Sequence, residues 1–286
     1  MPGTTSTMLV TMMQLMVLAN ATLLASEPIK TAIPTKGLMA YYPFSGSAKD
    51  TSGKGSHASV VGAMLTEDKF GNTRSAYLFD GKKDYMTAPV CISSSVMPQV
   101  TMVAWAKTEQ DTHNATIFSN ASDPLNGRSL LMRPSPSKGT SWASSTNASG
   151  WWVWHKVEVG KWTFLAISYD QSAKKLYVHV NDRKYEADCI RPDGNIDLAI
   201  GKNPHTGDYF QGCIDEVRVY NRILSEDEIA ALYHQFQNGD QAEDDPAIMQ
   251  KGGRSGLLVI FITGFALFAS IVLVANIMIR KKTMPV

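Results

Sequence analysis

Net charge is nearly absent from this chain: 27 Lys and Arg balance 26 Asp and Glu across 286 residues, and no long basic block occurs. That removes the electrostatic footprint of a nucleic-acid binder. No βαβ rhythm is present, which argues against a doubly wound nucleotide-binding fold. Phosphate loops, metalloprotease motifs and a Ser-His-Asp signature are missing, and the six histidines show no metal-ligand spacing. No internal repeat recurs at a fixed period. Cysteine is limited to three residues, and long apolar runs are confined to the two ends.

The ends set the expected topology. Met8 to Ala25 is apolar and ends in small residues, so residues 1–26 read as a signal peptide. No Lys or Arg precedes the run, and an uncleaved N-terminal anchor is the competing reading. Leu257 to Ile279 is 23 residues without a charge. At helical rise it spans roughly 34 Å, enough to cross a bilayer. Arg280, Lys281 and Lys282 follow as a stop-transfer flank. The expected order is a linker at 27–36, a folded domain at 37–236, a stalk at 237–255, a transmembrane helix at 256–279 and a cytoplasmic tail at 280–286. That is a single-pass type I membrane protein, its domain extracellular or lumenal and its C-terminal helix in the lipid bilayer. Cys189 and Cys213, 24 positions apart, are the candidate disulfide of such an oxidising space. Cys91 is then a buried thiol or an intermolecular link. Asn114, Asn120 and Asn147 each open a glycosylation sequon.

Between the ends, short alternating segments are separated by Gly, Asn, Asp, Pro and Ser clusters, the pattern of an all-β, two-sheet antiparallel sandwich. KLYVHVNDRKYEA predicts a hairpin turning at Asn181-Asp182. FDGKKDY, residues 79 to 85, reads as a strand ending in a turn at Asp80-Gly81, with a binding role as the competing reading. LSEDEIAALYHQF carries a capping box, Ser225 with Glu228, and a stripe of Ile229, Leu232, Tyr233 and Phe236, which predicts a short helix capping the sandwich. The Ser-rich stretch 134–150 reads as a long loop.

These residues carry a resemblance. GLMAYYPFSGSAKDTSGKGSHASVVGA, FGNTRSAYLFDGKKDYM and KWTFLAISYDQSAKKLYVHVNDR resemble laminin-G-like domains of the concanavalin A-like lectin/glucanase jelly-roll superfamily. GCIDEVRVYNRILSEDEIAALY is similar to their closing strand and helix, a pattern shared with pentraxins. The resemblance covers roughly residues 37 to 236. It implies two curved antiparallel sheets, and Cys189 with Cys213 matches the cysteine pair near the end of many laminin-G domains. Glycosidases of the superfamily carry closely spaced Glu and Asp on one groove strand, and no such segment stands here. Asp215 and Glu216 are adjacent and point to opposite faces of a regular strand. Binding, not catalysis, is therefore expected.

The resemblance also implies a calcium site at the sandwich rim. NASDPLNGR offers Asn120, Asp123 and Asn126, RPDGNID offers Asp193 and Asn195, and a separate site would join Asp50 to Asp215. Each of these residues is equally a turn former. Trp105 and Trp162 fall in strands that match the family's core. GWWVWHK, residues 150–156, places Trp151 and Val153 on one face and Trp152 and Trp154 on the other. Trp152 and Trp154, with Trp142 from the Ser-rich loop, are the candidate sugar-stacking platform; covered packing and a protein interface are the competing readings. The expected partners are a glycan or glycoprotein surface, or the subunits of a membrane complex.

Overall fold

The computed structural model describes residues 32–111, 114–122, 127–136, 139–147, 150–188, 194 and 196–237, with backbone alone for 145–147 and 150–153. The first strands are β1 (Leu38–Tyr42), β2 (Ser59–Val61), β3 (Met64–Thr66), β4 (Ala76–Asp80) and β5 (Tyr85–Ala88). The central ones are β6 (Gln99–Thr108), β7 (Ala115–Ser119), β8 (Ser129–Arg133), β9 (Ser141–Asn147) and β10 (Gly150–Lys156). β11 (Thr163–Asp170), β12 (Lys175–Val180), β13 (Arg183–Asp188), β14 (Leu198–Ile200) and β15 (Gln211–Tyr220) follow, and α1 (Glu226–Gln237) closes the described chain. One sheet runs β13-β12-β11-β6-β15-β4-β3, with β1 also on β15; the other runs β10-β9-β8-β7-β14-β5-β2. Every pairing is antiparallel.

Alternation along each strand builds the core between the sheets. On β6, Val100, Met102, Ala104 and Ala106 face the other sheet, while Trp105 faces away. Phe79, Met86, Phe118, Leu165 and Ile167 fill the same interior with no exposed surface. Each such side chain contributes about 1.5–3 kcal/mol of burial. The expected hairpin is present: β12 and β13 pair across a two-residue turn, and Asn181 sits at φ 55°. Its Oδ1 also accepts from the Phe164 amide at 3.0 Å, tying the turn to β11.

The outer face of the first sheet is covered by α1. Tyr233 stacks on Trp105 at 5.8 Å and meets Phe164 edge-on at 5.6 Å. Trp162 departs from expectation; it lies just before β11, half-buried beneath the Lys107 ammonium. The chain divides into a compact unit ending at His234 and a second beginning at Gln235, of which only the end of α1 is described. Among the described residues no helix is long and apolar enough to cross a membrane. The expected signal peptide, stalk, transmembrane helix and tail all lie outside the described residues.

A buried ionic cluster sits on β15 where its ladder to β6 is interrupted between Asp215 and Arg218. The bulge puts Glu216 at φ 54°, a strained conformation for a residue with a Cβ. Its carboxylate receives the Tyr41 hydroxyl at 3.0 Å and pairs with Arg218 at 2.8 Å. The Arg218 guanidinium lies 4.0 Å from the Tyr41 ring centroid. Burial and the neighbouring Glu216 push the Asp215 carboxyl well above the usual carboxylate range. Burial opposes the Arg218 charge, yet Tyr41 and Glu216 around it raise its pKa.

The capping box forms as expected. Ser225 Oγ accepts from the Glu228 amide at 3.3 Å, and Glu228 Oε2 accepts from the Ser225 amide at 2.9 Å. Arg222 grips both Glu228 oxygens at 2.7 Å. Glu226 in the first turn takes Lys184 at 2.6 Å and His179 at 3.3 Å, anchoring α1 to β12 and β13. The hydrogen bond from Arg222, supported by Ser225, holds the Glu228 carboxyl down at about 2. Its unfolded value is about 4.3, so the stabilisation is complete above that pH and is lost as pH falls toward about 2. Glu228→Gln is expected to cost about 1 kcal/mol at neutral pH and to flatten the acid limb of the stability curve. Urea denaturation at pH values from about 5 down to about 2 checks this; an acid limb as steep as that of the wild type would refute it.

Candidate functional site

The expected tryptophan platform is not assembled. Trp142 belongs to a strand, not a loop, and is 1% exposed in the core. Ser141 and Ser144 are buried beside it, so the serines that read as loop sequence line a packed strand. Trp154 is also in the core, and its Nε1 donates to Ser144 Oγ at 2.9 Å. The register of β10 on β9 shifts between Val153 and His155, and a bulge of this kind breaks the simple alternation that placed Trp154 outward. The side chains of Trp151, Trp152 and Val153 lie outside the described residues.

The metal candidates are likewise separated. Asp50 closes its own turn, accepting from the amides of Tyr41, Ser52 and Ser56 and from Ser52 Oγ at 2.8–2.9 Å. Asp215 is held in the ionic cluster, and no interaction joins the two. Asp123, Asn126, Asp193 and Asn195 lie outside the described residues, and no group of three or more His, Cys, Asp and Glu is placed to hold a metal among those described. Cys213 carries a free buried thiol, so the bridge to Cys189 is not seen; Cys189 itself lies outside the described residues. Cys91 is a half-buried free thiol 3.3 Å from Ser93 Oγ.

The sequons divide too. Asn114 is exposed. Asn120 is fully buried, its Nδ2 donating to the Gly194 carbonyl at 2.9 Å and its Oδ1 accepting from the Arg128 amide at 2.8 Å. The folded domain therefore has no room for a glycan on Asn120, which corrects the expectation for that site. The Asn147 side chain lies outside the described residues.

The structure instead brings together residues that the sequence pattern did not assign to one site, Tyr85 of the FDGKKDY turn among them. Five connections cross between the sheets at one rim: β2 to β3, β4 to β5, β6 to β7, β10 to β11 and β14 to β15. Main-chain bonds tie them, Gly81 to Phe210 at 3.1 Å, Glu109 to Gln211 at 3.2 Å and Gly160 to Thr108 at 2.9 Å. Gly212 begins the close approach of β15 to β6 at φ 138°, where a Cβ would meet the Lys107 carbonyl at 2.1 Å. The β14–β15 loop is organised by Asn203, whose Oδ1 accepts from the amides of His205 at 2.9 Å and Thr206 at 3.2 Å. That geometry leaves Lys202 paired with Tyr209 across the loop.

The opposing loop is the FDGKKDY turn. Asp80 Oδ1 accepts from the amides of Lys82, Lys83 and Asp84 at 2.9–3.1 Å, and these bonds, that to Lys83 first, hold its carboxyl below the usual range. The turn delivers Tyr85 beside Tyr209, the rings 6.5 Å apart and tilted by 53°. Lys202 Nζ lies 3.5 Å from the Tyr85 centroid and 6.0 Å from that of Tyr209. Next to this pair a cleft opens, lined by Gly81, Thr108, Gln110, Ala115, Met132, Tyr209 and Gln211. Its volume of about 30 Å³ holds one or two waters and no sugar ring. The cleft offers the half-buried Tyr209 ring and two amide side chains, and the pair beside it adds Tyr85 with the Lys202 ammonium on its ring.

Two antiparallel sheets, crossover loops gathered at a rim and a capping helix define a jelly-roll domain of the lectin type. A laminin-G family model described as the concanavalin A-like lectin/glucanases superfamily matches residues 80–230, and the chain belongs to that superfamily. No curated protein matches it. Among solved structures, domain 4 of AbnA, a GH43 extracellular arabinanase from Geobacillus stearothermophilus, in complex with arabinotriose, aligns with a TM-score of 0.54 at 26% identity, over 68% of this chain and 98% of that one. A mutant Trypanosoma rangeli sialidase displaying trans-sialidase activity aligns with a TM-score of 0.57 at 16% identity, over 72% of this chain and 34% of that one. The botulinum neurotoxin serotype D binding domain aligns with a TM-score of 0.53 at 14% identity, over 70% of this chain and 52% of that one. This chain thus spans about a third and about half of the last two, with which it shares the fold alone.

Proposed function

We propose that this protein is a carbohydrate-binding module, held outside the cytosol by the apolar segment at 257–279. The observation that carries the reading is the rim constellation of Tyr85, Tyr209, Lys202, Gln110 and Gln211 around the small cleft. Aromatic faces accept the apolar face of a sugar ring while amides take its edge hydroxyls. The cleft is too small for a ring, so a saccharide lies across the rim on Tyr209 with one substituent lowered between the glutamines. The arabinotriose bound by AbnA domain 4 supports a saccharide as the ligand class. Catalysis is not part of the proposal: Asp215 and Glu216 are committed to the ionic cluster and do not line the cleft.

The test is calorimetric titration of the full-length chain against a panel of neutral and acidic oligosaccharides that includes arabinotriose. At least one is expected to bind, and Tyr209→Ala to weaken it about tenfold, equivalent to about 1.4 kcal/mol. A wild-type chain that binds no member of the panel, or a folded Tyr209→Ala variant with undiminished affinity, would remove the proposal.

A further inference from the structure

Asn114 opens an exposed sequon at the cleft wall, and we infer that it carries an N-linked glycan that lies over the cleft mouth and competes there with saccharides from outside. This rests on the reading of the rim as a glycan site and adds its regulation. Position supplies the first observation. Asn114 is exposed and immediately precedes Ala115, which lines the cleft together with Met132, its partner on β8. Consecutive Cα atoms stand about 3.8 Å apart, so a sugar on Asn114 starts one residue from the cleft wall. The segment is anchored on both sides: Thr140 Oγ1 donates to the Asp111 carbonyl, and Ala115 enters the ladder of β7 on β8. The cleft admits no sugar ring. The attached glycan therefore occupies the same outer surface, beside Tyr209, that an external saccharide needs.

Thr116, the third residue of the sequon, supplies the second. Its side chain is fully buried opposite Leu131, and its Oγ1 has no hydrogen-bond partner among the described residues. A buried hydroxyl without a partner costs stability, and a valine of the same shape would avoid that cost. The fold thus gives no reason for a hydroxyl here. Glycan transfer does, because the acceptor triplet requires Ser or Thr in its third place. Since Thr116 is buried in the folded domain, transfer precedes the entry of β7 into its sheet. In that step the bond from Asn114 Nδ2 to the sugar C1 forms, and the C1–O bond of a lipid diphosphate-linked oligosaccharide breaks. The lipid diphosphate leaves with the bonding pair, and the amide gives up one proton.

The experiment makes the full-length chain in a eukaryotic secretory host beside Asn114→Gln, Thr116→Val and Thr116→Ser, and titrates each with arabinotriose and the rest of the oligosaccharide panel. Peptide mass mapping is expected to find a glycan on Asn114 in the wild type and in Thr116→Ser, and none in the other two. Both glycan-free variants should bind the best panel member about tenfold more tightly than the wild type, with Thr116→Ser matching the wild type. Thermal melts confirm that all four fold, and Thr116→Val is expected to melt no lower than Asn114→Gln, which shares its lack of a glycan. An unmodified Asn114 in the wild type, or unchanged affinity in the glycan-free variants, overturns the inference and leaves the rim reading standing. Failure of the glycan-free variants and the wild type alike to bind any saccharide overturns both.

Discussion

Replacing Arg218 with methionine is expected to lower the unfolding free energy by about 3–5 kcal/mol, the usual cost of removing one partner from a buried ion pair. Methionine keeps much of the side-chain volume, so the loss reports charge rather than a void. The guanidinium lies over Tyr41 and pairs with Glu216. Without it, Glu216, whose bulge geometry fixes its position, and the buried Asp215 lose their cation. The pH dependence follows from sign. Asp215 titrates higher in the folded state than unfolded, so the fold binds its proton more tightly and stability falls as pH rises above the unfolded value of about 3.9. Taking away the positive charge raises this carboxyl further, and the deficit of the variant should widen from acid toward neutral pH. Adding Glu216→Gln should recover part of the loss, since an amide is cheaper to bury than an unpaired carboxylate. Urea titrations of the three proteins at several pH values decide the matter. A loss below about 1 kcal/mol would show that the cluster is hydrated and weak.

Sequence pattern revealed the elements whose signals are local. Asn181-Asp182 marks a hairpin because a two-residue turn needs residues that tolerate positive φ, and the capping box marks the start of α1 because its two bonds span only three positions. Strand β6 is legible through its alternation of Val100, Met102, Ala104 and Ala106. Strands β2, β3 and β5 carry little alternation to read because they are three or four residues long. Strand β9 was hidden because its serines are polar in composition yet buried in place. The cleft was invisible for a different reason. Tyr85, Lys202 and Tyr209 come from two loops more than a hundred residues apart, and only the crossing of β4 to β5 and of β14 to β15 at one rim joins them. Their single sequence signal is an aromatic residue close after a Gly-containing turn, in GKKDY and again in TGDY. Asn120 makes the complementary point: its sequon is intact, but both ends of its amide are spent inside the fold.

The tryptophans give the second large effect. Trp142→Ala is expected to cost about 3–5 kcal/mol, as is usual when a large aromatic leaves a packed core. Trp142 is 1% exposed and stands opposite Met132 on β8, so neither solvent nor a neighbouring strand can readily fill the space. Trp154→Ala should fall in the same range, with the added loss of the bond to Ser144. The informative variant is Trp154→Phe, which keeps an aromatic ring beside Tyr185, 5.9 Å away, and removes only the indole N–H and part of the volume. It should cost about 1–2 kcal/mol, from one neutral hydrogen bond and a small void. If Trp154 is core, as its packing requires, the folded Trp154→Phe variant binds saccharide with wild-type affinity while Tyr209→Ala does not. A sugar-stacking Trp154 predicts the reverse, because stacking depends on the exposed ring face and core stability does not. Denaturation and calorimetry on the same three preparations separate the two roles. Loss of binding in Trp154→Phe at unchanged stability would return the binding surface to the strand at 150–156 and take it away from the rim.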